Sequence, residues 1–250
     1  MKQFVLPADF AGEREITLTG SDFHYLCTVR RHHVDDTFVA LDRTGNAYQA
    51  TVTRVGGARV TVSLAPRAAP AATGPFVTLY QSLPKGSKMN QIVRQVTESG
   101  VRRIVPVISE HTIPQIGDKV QQKLTRWRRI LEEAVQQSRA PVIPELTTPV
   151  TVQELGARRS VDELSLCFDS DADGASSLHS LLAEHFGPIG IAVGPEGGWS
   201  PDDRRRLAAA GFRPAYLGAQ VLRTETAAVY AVAAVQIIAL ERDQWSTRSG

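Results

Sequence analysis

From residue 76 onward the apolar residues follow two alternating rhythms. Short, largely apolar runs alternate with longer stretches in which apolar residues recur every three or four positions. The runs at 188–193 and 215–217 predict buried strands, and those at 76–81, 103–108 and 164–168 predict further strands. The stretches between them predict helices. Residues 88–99 place Met89, Ile92, Val93 and Val96 on one face and are closed by Gly100. Residues 118–138 carry a stripe of Val120, Leu124, Trp127, Leu131 and Val135, which makes Trp127 a core residue rather than a stacking platform. A shorter helix is predicted at 176–184. Ser200 then caps a helix with Pro201 at its first position, Asp202 and Asp203 in its first turn and Gly211 past its end. The last helix, from Thr224 through Ala239, is apolar nearly all round, which implies burial on more than one side and favours a subunit interface. Strands alternating with helices predict an α/β fold.

Before residue 69 the period is two. Residues 48–55 and 60–64 alternate apolar with polar around a turn at Gly56-Gly57, and 4–6, 15–18 and 37–41 read as further short strands, together a small barrel. Ser21 or Asp22 caps a short helix through Val29 that ends in Arg30-Arg31-His32-His33. The Pro/Ala-rich stretch 65–75 marks the boundary. The expected organisation is a β-rich domain at 1–68, a linker at 69–75 and an α/β domain at 76–250.

Composition adds little, but charge distribution adds a division. The net charge of +2 conceals 11 Lys/Arg against 5 Asp/Glu between residues 85 and 139, followed by 2 against 9 between 140 and 200. A basic stretch of this kind suits a partner rich in phosphates, although it also suits a solvated helix face. Cys27 and Cys167 lack paired spacing, and the adjacent His32 and His33 lack helical ligand spacing, so no metal site is expected. The N-terminal apolar stretch is too short for a signal peptide, and the helix at 227–240 is short for a bilayer span and contains Gln236; the expectation is a cytoplasmic protein.

Candidate chemistry gathers in two loops. Val193-Gly194-Pro195-Glu196-Gly197-Gly198-Trp199-Ser200 and Leu217-Gly218-Ala219-Gln220-Val221-Leu222-Arg223-Thr224-Glu225-Thr226-Ala227 each follow a predicted strand and open a helix. Two such loops can face one ligand pocket at the carboxyl ends of the strands. Neither the phosphate-binding G-x-x-x-x-G-K-[ST] pattern nor a G-x-G-x-x-G after a first strand is present, which disfavours a kinase or a dinucleotide enzyme.

This loop pair resembles the C-terminal signature of the ribosomal RNA small-subunit methyltransferase E family, in the SPOUT superfamily. The likeness continues in Lys85-Gly86-Ser87-Lys88-Met89, Glu98-Ser99-Gly100-Val101, Arg126-Trp127 and Glu133-Ala134-Val135-Gln136-Gln137-Ser138-Arg139. It departs at Gln220, at Gln95 and Ser99, and at Lys2-Gln3. The resemblance implies a C-terminal domain tied in a trefoil knot, an N-terminal PUA-like RNA-binding barrel, a homodimer, and S-adenosylmethionine-dependent methylation of the N3 of a uridine in small-subunit (16S) ribosomal RNA, either naked or in the assembled 30S subunit. It also implies that Val193, Gly194, Pro195, Gly197, Gly198, Leu217, Gly218 and Leu222 hold the cofactor, with Val221 and Ala227 lining the pocket.

Arg223 is the first candidate for stabilising charge on the uracil, unless it pairs with Glu196 or Glu225 and merely fixes the loops. Glu196 and Glu225 are candidates for a general base or, more readily, for fixing loops. Candidate RNA contacts are Arg30, Arg31, Lys85, Lys88, Arg94, Arg126 and Arg139. A knotted methyltransferase acting on transfer or large-subunit RNA, and a non-catalytic RNA-binding module of the same fold, remain alternatives.

Overall fold

A computed structural model of the chain describes residues 3–69, 74–112, 120–169 and 175–248. It divides into two compact units, Met1–Ala72 with Val135–Ile143, and Thr73–Ala134 with Pro144–Gly250. Residues 135–143 thus belong with the first unit, a grouping that the pattern along the chain does not contain. Within that unit the Gln3 side chain donates to the carbonyls of Val135 (3.1 Å) and Ala140 (2.7 Å).

The first unit holds five strands, β1 (Phe4–Val5), β2 (Glu15–Thr19), β3 (Thr37–Leu41), β4 (Ala47–Gly56) and β5 (Arg59–Arg67), in the order β1-β3-β4-β5-β2. All five contribute to one core, among them Phe4, Leu18, Phe38, Val52 and Val62. Among the described residues no ladder joins β1 to β2, so the expected barrel is an open sheet wrapped around its core; β1 is only two residues long and is taken up by its parallel pairing with β3. The β4–β5 turn lies one residue later than its glycines suggest. Gly57 and Ala58 both adopt positive φ, +59° and +56°, the mirror-image turn whose twist matches a hairpin. Strand β5 runs through Ala65, Pro66 and Arg67, opposite Gln49, Tyr48 and Ala47, so the stretch expected as linker begins as strand. Of the linker proper, residues 70–73 lie outside the described residues. The short helix predicted to Val29 is two pieces, α1 (Gly20–Phe23) and a π-helical turn over His24–Val29.

In the second unit seven parallel strands follow the order β11-β13-β10-β12-β6-β7-β8, with β9 also on β7. These are β6 (Val77–Ser82), β7 (Arg103–Ile108), β8 (Glu145–Leu146), β9 (Val150–Thr151), β10 (Leu164–Phe168), β11 (Ser176–Ser177), β12 (Ile189–Val193) and β13 (Arg213–Tyr216). The helices are α2 (Lys88–Glu98), α3 (Val120–Ser138), α4 (Leu155–Arg158), α5 (Leu178–Leu182), α6 (Pro201–Ala209) and α7 (Thr224–Arg248). The pattern missed β8, β9 and α4, which are too short to show a period. It also absorbed β11 into a helix and placed β13 two residues late. Strands β6 and β12 are buried at every position, as central strands of a parallel sheet covered on both faces must be, the polar Thr78, Gln81 and Ser82 of β6 included. By length and composition 224–242 could cross a membrane, contrary to the sequence expectation, but Ala228, Ala231, Val232, Val235 and Ala239 pack fully into this unit. Tyr230 and Ile237, seven residues apart on α7, stay exposed.

Glu163 is buried in this unit. It accepts from Tyr80 (3.1 Å) and Ser165 (2.7 Å), with Arg159 at 3.9 Å. Burial first, then the adjacent carboxylate, push the Tyr80 phenol well above its ordinary range. This cluster explains Gly190 in the middle of β12: a Cβ there would lie 2.2 Å from Glu163 Oε1 and 3.0 Å from the Tyr80 ring. Gly190→Ala is expected to destabilise the protein by about 2–4 kcal/mol, since neither the strand nor the buried carboxylate can move aside cheaply. Chemical denaturation of the variant tests this; an unchanged midpoint would show that the cluster is loose.

Candidate functional site

Because every pairing in the second sheet is parallel, the loops after β6, β7, β10, β12 and β13 leave at one edge. Val193 at the end of β12 stands opposite Gln81 near the end of β6, and Phe168 of β10 stands opposite both Val193 and Ala215. The two glycine loops and the Lys85–Lys88 segment therefore start as neighbours.

Three contacts tie them together. Thr224, the first residue of α7, donates its hydroxyl to the Gly194 carbonyl at 2.6 Å and accepts from Gln81 Nε2 at 3.0 Å. Lys88, the first residue of α2, places its Nζ 2.8 Å from Glu196 and 3.4 Å from Glu225. The Lys85 backbone N–H reaches the Glu196 carboxylate at 3.2 Å. Residues from β6, from the β12 loop and from the start of α7 are thus held by buried or half-buried polar groups.

The loop after β12 turns at Gly198 (φ +68°) and then enters α6 through a capping box. Ser200 accepts from the Asp203 N–H at 3.0 Å and Asp203 reaches back to the Ser200 N–H. Asp203 also accepts from the Glu110 N–H at 3.2 Å, and His111 Nδ1 lies 3.1 Å from the Gly198 carbonyl, so the β7 loop braces the glycine loop. His111 leaves no free space at Gly197, where a Cβ would lie 3.2 Å from Nδ1.

Gly194 is buried with a Cβ position 3.4 Å from Gly198 and from the backbone and indole nitrogens of Trp199, and that indole N–H is itself buried without a partner. Pro195 and Val193 are buried, and Gly197 is exposed. In the second loop Gly218 has φ +127° and is exposed, Leu217, Leu222 and Ala227 are half-buried, and Val221 is 84% exposed. No described residue forms an ion pair with Arg223, which is exposed; the pairing with Glu196 or Glu225 entertained for it is made by Lys88 instead.

That substitution changes the reading of Lys88. Expected as a phosphate contact, it is neutralised by two carboxylates, whose hydrogen bond and charge raise its own pKa. Burial pushes Glu196 up, but the Lys88 ammonium and the backbone N–H groups of Glu196 and Lys85 outweigh it and hold the carboxyl below its ordinary value. A carboxylate so held is a poor proton acceptor and a good brace.

The remaining basic candidates are distributed over both units. Arg30 and Arg31 follow the π-helical turn, closed by Arg30 N–H to the Tyr25 carbonyl at 2.9 Å, with Arg31 at φ +58°; Arg139 ends α3 at φ +60°. In the second unit Arg94 lies 3.8 Å from Glu133, while Lys85 and Arg126 are exposed and line a cavity of about 380 Å³ that none of the glycine-loop residues lines. Sequence reasoning missed Gln81, Asp203 and His111 as site residues. Gln81 alone left a signal, a polar side chain near the end of an apolar strand. Among the described residues no cluster suited to a metal ion is found.

The model of an RNA methyltransferase domain matches residues 73–236, and that of an RNA methyltransferase PUA domain matches 18–65. The ribosomal RNA small subunit methyltransferase E of Synechocystis sp. is 32% identical over 229 residues, covering 90% of this chain and 74% of that protein; the Aquifex aeolicus protein of the same name is 33% identical over 203 residues, 80% and 85%. The crystal structure of the Neisseria gonorrhoeae protein of that name bound to S-adenosyl methionine superposes with a TM-score of 0.84 at 27% identity, covering 95% of this chain and 98% of that one.

The depressed Glu196 pKa carries a sign. The Glu196 anion stabilises the folded state above the ordinary carboxylate value of 4.5 and loses that effect as the pH falls through its lowered folded value. Glu196→Gln is therefore expected to lower the Tm near neutrality and to match the parent protein in acid. Thermal melts across that range are the check, and an equal gap at both ends would exclude the ion pair as the cause.

Proposed function

This chain belongs to the ribosomal RNA small subunit methyltransferase E family, and on that premise we propose that it transfers a methyl group from S-adenosylmethionine to the N3 of a uridine in small-subunit ribosomal RNA. The observation that carries the reading is the joining of the two glycine loops by Thr224, with the exposed Arg223, which has no ionic partner among the described residues, beside it.

The residues present suit the cofactor. The Gly194–Gly198 turn lets backbone approach a ligand where a Cβ would meet other backbone, the buried Trp199 N–H lacks a partner, and Val221 and Leu222 offer apolar surface. Gly194, Pro195, Gly197, Gly198, Leu217, Gly218 and Leu222 would hold it, with Val193, Val221 and Ala227 as walls. S-adenosylmethionine supplies a methyl group on a positively charged sulfur.

What remains for the protein is alignment and charge. Uridine N3 sits between two carbonyls, so loss of its proton to solvent water spreads negative charge onto the two carbonyl oxygens, and transfer of the methyl to N3 leaves the donor as a neutral thioether. Arg223 carries a fixed positive charge on a flexible stem and faces that charge as it develops. Glu196 and Glu225, with Lys88 between them, fix the loop geometry rather than take the proton. Alignment of nitrogen and methyl supplies most of the remaining acceleration.

The chain order supports a trefoil knot in this domain. It leaves β12, passes β10 and returns as β13 on the far side, a crossing that ordinary sheets avoid. Exposed Tyr230 and Ile237 on α7, with Tyr216 and Val221 in the preceding segment, support a homodimer, since apolar surface of this kind favours a partner. Arg30, Arg31 and Arg139 in the first unit, and Lys85, Arg94 and Arg126 in the second, are the proposed RNA contacts. A small-subunit RNA substrate, free or as the 30S particle, supports a cytoplasmic location.

The cofactor is expected to raise the Tm of the pure protein. Unmodified small subunits, incubated beside deproteinised RNA, should acquire 3-methyluridine detectable by mass spectrometry; cofactor binding with methylation of neither would move the target to another RNA. Arg223→Ala should lower kcat/KM by about 10²–10³ while keeping the cofactor-induced Tm shift. A variant as active as the parent removes Arg223 from the chemistry.

A further inference from the structure

The cavity of about 380 Å³ beside the glycine loops has no role in the account so far. Its walls come from the segment after β6 and the first turn of α2 (Leu83 to Asn90), from the first half of α3 (Val120 to Trp127), and from Thr112 and Pro149, all in the second unit. Its size falls in the range of small-molecule pockets, about 300–1,000 Å³.

The lining is chemically one-sided. Lys85, Lys123 and Arg126 contribute cations, and no carboxylate is among the described lining residues. Met89, Leu83 and Trp127 supply apolar wall, and Trp127, only 6% exposed overall, borders this cavity as well as the core under α3.

Satisfied polar groups surround unsatisfied ones. Lys88 is held by two carboxylates, and Ser82, Ser109 and Thr112 bond one another at 2.6–3.2 Å, which makes the Thr112 wall rigid. By contrast, none of the described residues pairs with the side chains of Lys85, Asn90 or Arg126, all three on the cavity. Unused cations and an unused amide around an apolar slot suit a ligand that is flat, bears hydrogen-bonding edges and carries phosphate. A single-stranded nucleotide has all of those properties; the positively charged methyl donor has a flat base but no phosphate to meet the cations.

We infer that this cavity receives one unstacked nucleotide of the RNA substrate, its base against Met89 and Trp127 with Asn90 at its polar edge, and its phosphates toward Lys85 and Arg126. The inference rests on the RNA methyltransferase reading and extends it to a site that the glycine loops do not contain. The Lys85 backbone bond to Glu196 links the cavity to the braced loop, so an occupied cavity fixes the same segment that holds the site together.

The test combines photocrosslinking with kinetics. A short single-stranded RNA carrying 4-thiouridine is irradiated with the intact protein, and the crosslinked peptides are mapped by mass spectrometry. Crosslinks are expected in residues 83–90 or 120–127. Asn90→Trp, which fills the cavity, should abolish them and lower kcat/KM at least tenfold while leaving the cofactor-induced Tm shift intact. Asn90→Ala, which cannot overpack, should raise KM with kcat nearly unchanged. Crosslinks confined to other segments, or an Asn90→Trp protein that methylates RNA as the parent does, would overturn the inference. Loss of the cofactor shift in Asn90→Trp would overturn it as well, by assigning the cavity to the cofactor. Failure of the parent protein to methylate any RNA, with crosslinks still in the cavity, would instead refute the catalytic reading and support the nucleotide site.

Discussion

Everything at the carboxyl edge of the sheet depends on how one threonine hydroxyl is used. Thr224 gives its proton to the Gly194 carbonyl and accepts from Gln81. A glycine loop contributes no side chains, and its backbone groups must find partners or leave a buried site under-satisfied. A hydroxyl that both donates and accepts lets one residue hold the β12 loop, strand β6 and the first turn of α7 in register. The Lys88 ammonium repeats the arrangement electrostatically nearer the surface, between a carboxylate on each of the same two segments.

That arrangement separates rigidity from chemistry. The acidic residues of the loops are spent on Lys88 and on backbone N–H groups, which keeps Glu196 ionised and poorly basic. Arg223, next in the chain to the bridging threonine, stays exposed and without an ionic partner among the described residues. An enzyme that moves a methyl group needs little proton affinity of its own if a fixed cation lowers the cost of making the nucleophile. The same division recurs in the cavity near α2, where neighbouring hydroxyls are mutually satisfied and Lys85, Asn90 and Arg126 are left for a ligand.

The basic and acidic stretches of the chain also take on a physical meaning. Between residues 85 and 139 the cations are spread over the segment before α2, α2, the start of β7 and α3 as far as Arg139, but the individual cations are unequal. Lys88 is internal to the site and Arg94 lies close to Glu133, whereas Lys85 and Arg126 are exposed. A local charge count predicts the sign of the partner; only pairing decides which cations meet it.

The sequence by itself determined the alternation of strands and helices from residue 76, the β-rich first unit, the capped start of α6, and the two glycine loops, because each is a local matter of period, cap or turn. It also carried the family likeness, which rests on residue identity in order. The tertiary structure alone decided that Lys88 rather than Arg223 meets Glu196 and Glu225, that residues 135–143 join the first unit, that Gly190 makes room for Glu163, and that His111 and Asp203 brace the glycine loop. Each of these joins residues far apart in the chain and depends on strand order, and neither hydrophobic period nor turn chemistry encodes which parallel strand lies beside which.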